Sequence, residues 1–209
     1  MSRCIYSLKE FDHASGEHIL QNFLGARWTS NRISCDEVQH SFGTTIDTAL
    51  ESGLKEIRVV LGHKGGRGGP GPTLKNVSTL SGKKVHVSPG GAPSFAEPIV
   101  SVEEYEDGSY GVSAKLGTEK HFGWALNKLR QEFSHLNLQI DEEALKNSFK
   151  HGEDPPSEPM HLRSKMGGLD FFRGALKSCF NLLGAVHHDI VISDDFNDLR
   201  KFIFDSLLD

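Results

Sequence analysis

The stretch between Glu17 and Asp47 decides how the first part of this chain can fold. In order, it contains Glu17-His18-Ile19-Leu20, Leu24-Gly25, Asn31-Arg32-Ile33-Ser34-Cys35, Gln39-His40-Ser41-Phe42-Gly43 and Ile46-Asp47. Apolar residues recur at helical spacing over its second half, at Val38, Phe42, Ile46 and Ala49, which predicts a helix with His40 near its start. The stretch therefore offers a histidine beside a carboxylate, then Asn31, then a second histidine.

These residue types can supply the parts of a site that cleaves phosphodiesters. Hydrolysis needs a base that deprotonates water and a divalent cation that offsets charge on the phosphate and on the leaving oxygen. An imidazole together with a carboxylate suits Mg, Mn, Ni or Zn, so the ligand types leave the metal open.

In this order and spacing, the residues resemble the HNH (ββα-metal) endonucleases. Members of one branch read Cys-x-x-Cys, then Glu-His-Ile-Ile-Pro-x-x-Leu-Gly-Gly, then Asn-x-x-x-Cys-x-x-Cys-Asn-x-x-x-Gly-x-x-x-Asp. Cys4, Glu17-His18, Leu24-Gly25, Asn31, Cys35, Gly43 and Asp47 stand at the corresponding positions. The resemblance covers residues 4–47, and a weaker one covers the helical residues 169–208.

The resemblance implies a role for each of four residues. His18 would be the general base, and Asn31 would hold His18 in orientation. His40 and Glu17 would bind one divalent metal, with Mg or Mn favoured and Ni or Zn also suitable. The function implied is metal-dependent hydrolysis of DNA, in a restriction or phage-defence system with a partner protein.

The chain departs from the family at two of its four zinc-binding cysteines. Ser7 and Val38 stand where the second cysteine of each pair is expected. Two thiolates do not make a closed tetrahedral zinc site, so we expect no structural zinc. If the fold is kept, Cys4 and Cys35 would be near neighbours.

Three regions are expected along the chain, giving an α+β fold. Residues 1–61 would form the HNH-like nuclease module, and residues 62–115 a Gly/Pro-rich linker followed by β-hairpins. Two hairpin turns are predicted there, at Ser81-Gly82 and Asp107-Gly108. Residues 116–209 would form a mostly helical C-terminal region.

Helical periodicity is clear in three segments of that last region. The first carries Phe122, Leu126, Leu129 and Phe133. The second carries Phe172, Leu176, Cys179, Phe180 and Leu183, with Cys179 expected in the core and Gly184 ending the helix. The third spans Asp195–Leu208.

Charge is distributed unevenly around a net value of −5. Residues 1–93 carry a net charge of +3 and residues 94–209 one of −8. A mildly basic first part suits an anionic partner such as DNA. The expected contacts to the nucleic-acid backbone are Arg27, Arg32, Lys55, Arg58, Lys64 and Arg67.

Composition excludes several other classes of protein. No apolar run reaches the roughly 18 residues of a membrane span, and the first residues lack the apolar segment of a signal peptide. Three cysteines are too few for a disulfide scaffold, so the cytoplasm is the expected compartment. A homodimer is compatible with cutting both DNA strands, although no interface is readable from the sequence.

Two alternatives remain open. The missing cysteines also fit a degenerate HNH fold that binds nucleic acid or protein without cutting. A nuclease effector that needs an activating partner fits too, with the acidic residues 94–209 as its docking surface.

Overall fold

The computed structural model describes residues 1–136, 139–148 and 158–204. It confirms a mixed α+β protein with small antiparallel sheets and a helical C-terminal region. The strands are β1 (Ser2–Arg3), β2 (Glu10–Phe11), β3 (Glu17–His18), β4 (Thr29–Ser30), β5 (Leu74–Ser78), β6 (Lys84–Val87), β7 (Pro93–Phe95), β8 (Ile99–Glu104) and β9 (Tyr110–Lys115). The α-helices are α1 (Asp36–Thr44), α2 (Ile46–Val60), α3 (Phe122–Glu132), α4 (Glu142–Ser148), α5 (Leu169–Val186), α6 (His188–Val191) and α7 (Asn197–Ile203). In these described ranges, every helix is too short or too polar to cross a bilayer.

The chain divides into two compact units. Unit 1 comprises Met1–Pro72 and Arg163–Asp209, and unit 2 comprises Thr73–Leu162. This division differs from the expected regions 1–61, 62–115 and 116–209. The reason is that α5 packs against α2, so the last part of the chain belongs with the first.

In unit 1, two short antiparallel ladders precede the helices. β1 pairs with β2, and β3 pairs with β4 with His18 opposite Thr29. The helix predicted from Val38 onwards is two helices, because the backbone leaves the helical region at Thr45 (φ −123°, ψ −94°). His40 lies in the middle of α1, not near its start, since the acidic pair Asp36-Glu37 forms the first turn.

The core of unit 1 joins both ends of the chain. Its fully buried members include Cys4, Ile5, Ile19, Ile33, Val38, Phe42, Ile46, Phe180, Val191 and Ile203. Tyr6 lies at the centre, with its ring 4.7 Å from that of Phe42 and 5.3 Å from that of Phe180, both edge to face. Aromatic pairs of this geometry add to the stabilisation from apolar burial.

Unit 2 is built from the hairpins expected from the sequence. β5, β6 and β7 form one antiparallel sheet, and β8 pairs with β9 across the Asp107-Gly108 turn. Gly108 adopts a φ of 76°, which a residue without a Cβ enters at little cost. The predicted helix at Phe122 is confirmed as α3, which buries Ala125, Leu126 and Leu129.

The second predicted C-terminal helix is confirmed as α5, but two expectations about it are wrong. Cys179 is exposed, and Gly184 lies inside the helix. A Cβ on Gly184 would come within 2.8 Å of the Ile5 side chain, so this glycine permits close packing. In the third segment, α7 ends at Ile203, and the expected continuation to Leu208 lies outside the described residues.

Candidate functional site

A buried polar network surrounds the backbone of β3. Its members are Tyr6, Glu17, Gln21, Asp47, Lys177, Ser178 and Asn181. The Lys177 ammonium lies 2.7 Å from a carboxylate oxygen of Glu17 and 2.7 Å from one of Asp47. It also lies 5.0 Å from the centre of the Phe42 ring, a cation–π distance. One cation from α5 therefore pairs with a carboxylate from β3 and with another from α2.

Amide and hydroxyl groups complete this network. Gln21 donates to Asp47 at 2.9 Å, and its amide oxygen accepts from the Ser178 hydroxyl at 2.6 Å. Asn181 donates to Glu17 at 3.1 Å and accepts from the Tyr6 hydroxyl at 2.6 Å. Buried charges with this many hydrogen bonds hold one arrangement, because any member left unpaired would be costly.

The Tyr6 hydroxyl is held in its protonated form. Its pKa is raised well above its usual value, first by burial and then by the negative charges of Glu17 and Asp47. Tyr6 therefore acts as a donor to Asn181 and does not add a further negative charge to the network.

His18 is held next to this network by its backbone. Its carbonyl oxygen accepts from the Asn181 amide at 3.0 Å, and the neighbours Glu17 and Ile19 are buried. The side chain is half-buried, and its Nδ1 is buried without a hydrogen-bond partner among the described residues.

The other two expected site residues lie at the surface. Asn31 directly follows β4 and is exposed, and His40 is exposed on α1. Besides the ladder with β4, the His18 backbone is held by the Asn181 side chain, and the described hydrogen bonds to it include none from Asn31.

The expected metal ligands do not form a ready donor set. The described residues contain no group of three or more His, Cys, Asp and Glu side chains placed to hold a metal ion. The Glu17 carboxylate is occupied by the Lys177 ammonium and the Asn181 amide. A carboxylate whose oxygens already hold an ammonium and an amide is a poor ligand for a divalent cation, so these residues do not fit the expected metal as they stand.

Cys4, Ser7, Cys35 and Val38 lie together near the start of α1. In the sequence pattern of the HNH endonucleases, these four positions correspond to zinc-binding cysteines. Burial raises the pKa of the Cys35 thiol, the backbone N–H of Val38 lowers it, and Cys4 raises it further. The Ser7 hydroxyl lies 3.9 Å from the Cys35 sulfur. Cys4 and Cys35 are thus the neighbours that the sequence led us to expect.

The basic residues expected at a nucleic-acid surface differ in their availability. Arg32, Lys55, Lys64 and Arg67 are exposed. Arg27 is also exposed, but its Nε donates to the Gly66 carbonyl at 2.5 Å, which ties the segment before β4 to the glycine-rich loop around Gly66.

Arg58 is not available to a phosphate in this arrangement. Its side chain is only 8% exposed, pairs with Glu51 at 2.9 Å and lies over the Phe23 ring. Arg58 therefore belongs to the packing of α2, contrary to its expected role in binding nucleic acid.

Sequence reasoning missed the part of the site that α5 supplies. Lys177, Ser178 and Asn181 lie at least 130 residues after the motif from Glu17 to Asp47. One signal was present: Arg173, Lys177 and Asn181 repeat every four residues and so mark one polar face of the helix. Apolar residues recur at helical spacing on the opposite face, and they led to the wrong prediction that the face with Cys179 is buried.

Comparisons of the chain with protein-family models, with curated proteins and with solved structures found no match. Any function must therefore be inferred from the residues themselves and from the geometry described above.

Proposed function

We propose that this protein is an endonuclease that hydrolyses DNA phosphodiester bonds, with His18 as the general base. The observation that carries the proposal is the placement of His18. It lies on the first strand of a β-hairpin that is followed by α1, and its backbone is fixed by α5.

The convergence of Cys4, Ser7, Cys35 and Val38 supports the same proposal. The first pair, Cys4 and Ser7, lies at least 28 residues before the second pair, Cys35 and Val38. The resemblance to HNH endonucleases requires the two pairs to meet beside the hairpin and helix. Their meeting is expected if residues 4–47 keep that fold, whereas an unrelated fold has no reason to gather them.

In the proposed reaction, the neutral imidazole of His18 accepts a proton from the attacking water. Asn181 holds the His18 backbone in place. The ion pairs of Lys177 hold Glu17 on β3 and Asp47 on α2. Arg32, Lys55, Lys64 and Arg67 would contact the DNA backbone, which makes affinity depend on salt.

A divalent metal, with Mg or Mn favoured, is part of this proposal through the resemblance alone. His40 is its candidate ligand from α1, whereas Glu17 is occupied by Lys177. Among the described residues, His, Cys, Asp and Glu side chains do not gather into a complete donor set for this metal.

The incomplete donor set favours a second candidate function. A chain that keeps the hairpin, the helix and the basic surface but binds no metal would bind nucleic acid without cutting it. This second function predicts DNA binding that is unaffected when His18 is replaced.

Supercoiled plasmid is the substrate that separates the two functions. Wild type, His18→Ala and His13→Ala would be incubated with plasmid in Mg, Mn, Ni, Zn or EDTA, and binding would be measured in parallel. His13 is the matched control, because it is an exposed histidine five residues away. We expect wild type and His13→Ala to nick the plasmid in at least one metal, and His18→Ala to bind but not nick.

Equal cleavage by His18→Ala would remove His18 from the mechanism. Binding by all three proteins without cleavage in any metal would replace the nuclease with the binding function.

A further inference from the structure

Helix α5 differs from an ordinary surface helix, because polar residues share its buried face with Phe180. It buries Arg173, Lys177, Ser178 and Asn181 against the rest of unit 1. Between Phe171 and Val186, the exposed residues are all apolar, and neither of the two charged residues in this span is exposed. The buried polar network thus leaves the apolar face of the helix uncovered.

This apolar face follows one line along the helix. It consists of Leu169, Phe172, Leu176, Cys179, Leu182 and Val186, and it continues to Ile190 in α6. Each member follows the previous one by three or four residues, which keeps them on one side of the helix, where they can pack against another helix. Its large side chains are 37–58% exposed, as much as isolated surface residues, but here they are contiguous.

An uncharged apolar seam restricts what can cover it. A charged or polar partner surface would lose its hydration here and gain no hydrogen bond in return. A matching occupant must itself present an apolar helix face without charges.

The five central residues of the seam, from Phe172 to Val186, are arranged symmetrically about Cys179. Leu176 and Leu182 lie three residues on either side of Cys179, and Phe172 and Val186 lie seven residues on either side. A two-fold axis through Cys179 would therefore place Leu176 of one copy against Leu182 of the other. The same axis would place the large Phe172 against the smaller Val186, so that each face fills the other.

We propose that a second copy of this chain covers the apolar face of α5. The two helices run antiparallel, and the two Cys179 residues meet at the axis. An isologous contact of this kind is closed and yields a dimer, not a filament.

The size of the face sets the strength expected of this dimer. Six large side chains, each about half exposed, offer on the order of 500 Å² per copy, against roughly 800 Å² per partner in a standard interface. A smaller interface predicts a dimer that dissociates on dilution. Since the seam carries no charge, its association should change little with salt, unlike the proposed DNA binding.

Sedimentation velocity over a range of concentrations tests the association directly. Wild type should shift from monomer to dimer with rising concentration, and Leu176→Glu should raise the dissociation constant at least about tenfold. Leu80→Glu is the matched control, because Leu80 is exposed but lies in unit 2. A wild type that stays monomeric at every concentration would overturn the proposal, as would equal dimerisation of Leu176→Glu.

Disulfide cross-linking tests the orientation. Cys179→Ser, Phe172→Cys and Cys179→Ser, Val186→Cys double variants would be oxidised by dissolved oxygen with a copper catalyst, alone and mixed. Two thiols then form one disulfide and give two electrons and two protons to oxygen. Antiparallel helices predict a covalent dimer mainly in the mixture, whereas cross-linking of each variant only with itself would overturn the proposed axis. Both readouts are independent of cleavage, so this proposal and the proposed function fail separately.

Discussion

The two units of this protein achieve their structure in opposite ways. Unit 1 depends on contacts between residues far apart in sequence, such as Tyr6 with Asn181 and Glu17 with Lys177. Unit 2 depends on antiparallel ladders between neighbours, such as β8 with β9. Buried charges occur in unit 1, whereas the charged residues described in unit 2 lie outside its core. Because unit 1 depends on long-range polar pairs, we expect single substitutions in those pairs to reduce its stability strongly. Because unit 2 depends on local ladders, we expect single substitutions to affect its stability less.

Removing the Lys177 ammonium should change the difference in stability between the two units more than any other substitution considered. Lys177→Met would leave Glu17 and Asp47 without their shared partner, at a cost of about 3–5 kcal/mol in the free energy of unfolding. Denaturant unfolding can be followed separately in each unit through single-tryptophan variants, because Trp28 lies in unit 1 and Trp124 in unit 2.

Only the transition reported by Trp28 should move in that experiment. Lys55→Met, which replaces an exposed lysine on α2, is the control and should change stability by less than about 0.5 kcal/mol. An equal shift at Trp124 would mean that the two units unfold together and that the contrast is structural but not energetic.

Filling the contact between α2 and α5 should give the next largest effect. A Cβ on Gly174 would lie 2.6 Å from the Ile46 carbonyl oxygen, so Gly174→Ala should destabilise unit 1 by about 1–3 kcal/mol. Gly43→Ala is the matched helical control, since a Cβ there meets nothing within 4 Å. That control should stabilise the protein by about 0.5–1 kcal/mol, because alanine favours helix. Thermal unfolding of both variants would reveal the opposite signs.

The loss of stability at high pH should also differ between the two units, by a smaller amount. Burial raises the Tyr6 pKa in the folded state above the value near 10 of the unfolded chain. The unfolded chain therefore loses this proton first, so the stability that Tyr6 confers is present below about pH 10 and is lost as the pH rises.

Tyr6→Phe should cost about 1–2 kcal/mol at pH 7, through the lost hydrogen bond to Asn181, yet it should flatten the loss of stability above pH 10. Urea unfolding at pH 7, 9, 10 and 11 measures both effects. Tyr110→Phe, in unit 2, should leave the pH dependence of the stability of unit 1 unchanged. If Tyr6→Phe loses stability above pH 10 as steeply as wild type does, another group is responsible for that loss.

The smallest effect is expected in unit 2, at the opposite end of the pH scale. Hydrogen bonds from Ser81, Lys83 and Thr79 lower the pKa of Glu158 to about 2. The unfolded carboxylate takes up its proton first as the pH falls, so the contribution of Glu158 is present above its ordinary range and is lost toward pH 2.

Amide hydrogen exchange at Leu80 measures this contribution, because that amide donates to the Pro159 carbonyl at 3.1 Å. Glu158→Gln should reduce its protection at neutral pH to the level that wild type reaches in acid, after correction for intrinsic exchange. Glu97→Gln is the control, and equal protection in wild type and Glu158→Gln would show that Glu158 does not secure this contact.

Local patterns predicted unit 2 well and unit 1 only in part. The turn at Asp107-Gly108 and the periodicity of α3 depend on neighbours in sequence, so the sequence reveals them directly. The hairpin that contains His18 could likewise be predicted, because its residues all lie within one short motif, residues 4–47. The network at Glu17 was not, because its partners depend on which face of α5 is buried.

Cys179 illustrates why that choice was missed. Apolar periodicity placed it in the core, but the helix buries the face with Lys177 and Asn181. Burying two carboxylates near β3 requires a cation and amide donors, and this requirement outweighs the gain from covering the apolar face. Periodicity identifies that a helix has two faces, whereas long-range charge pairing decides which of them points inward.

The order in which the chain is made adds a temporal consequence to the position of Lys177. A ribosome synthesises Glu17 and His18 early, but their partners Lys177 and Asn181 follow only after the whole of unit 2. Nascent chains tend to fold from the N-terminus onwards, yet this site cannot take its final arrangement until the second half of the chain has emerged. If the site cuts nucleic acid as we propose, an incomplete chain still attached to its messenger would be unable to cut.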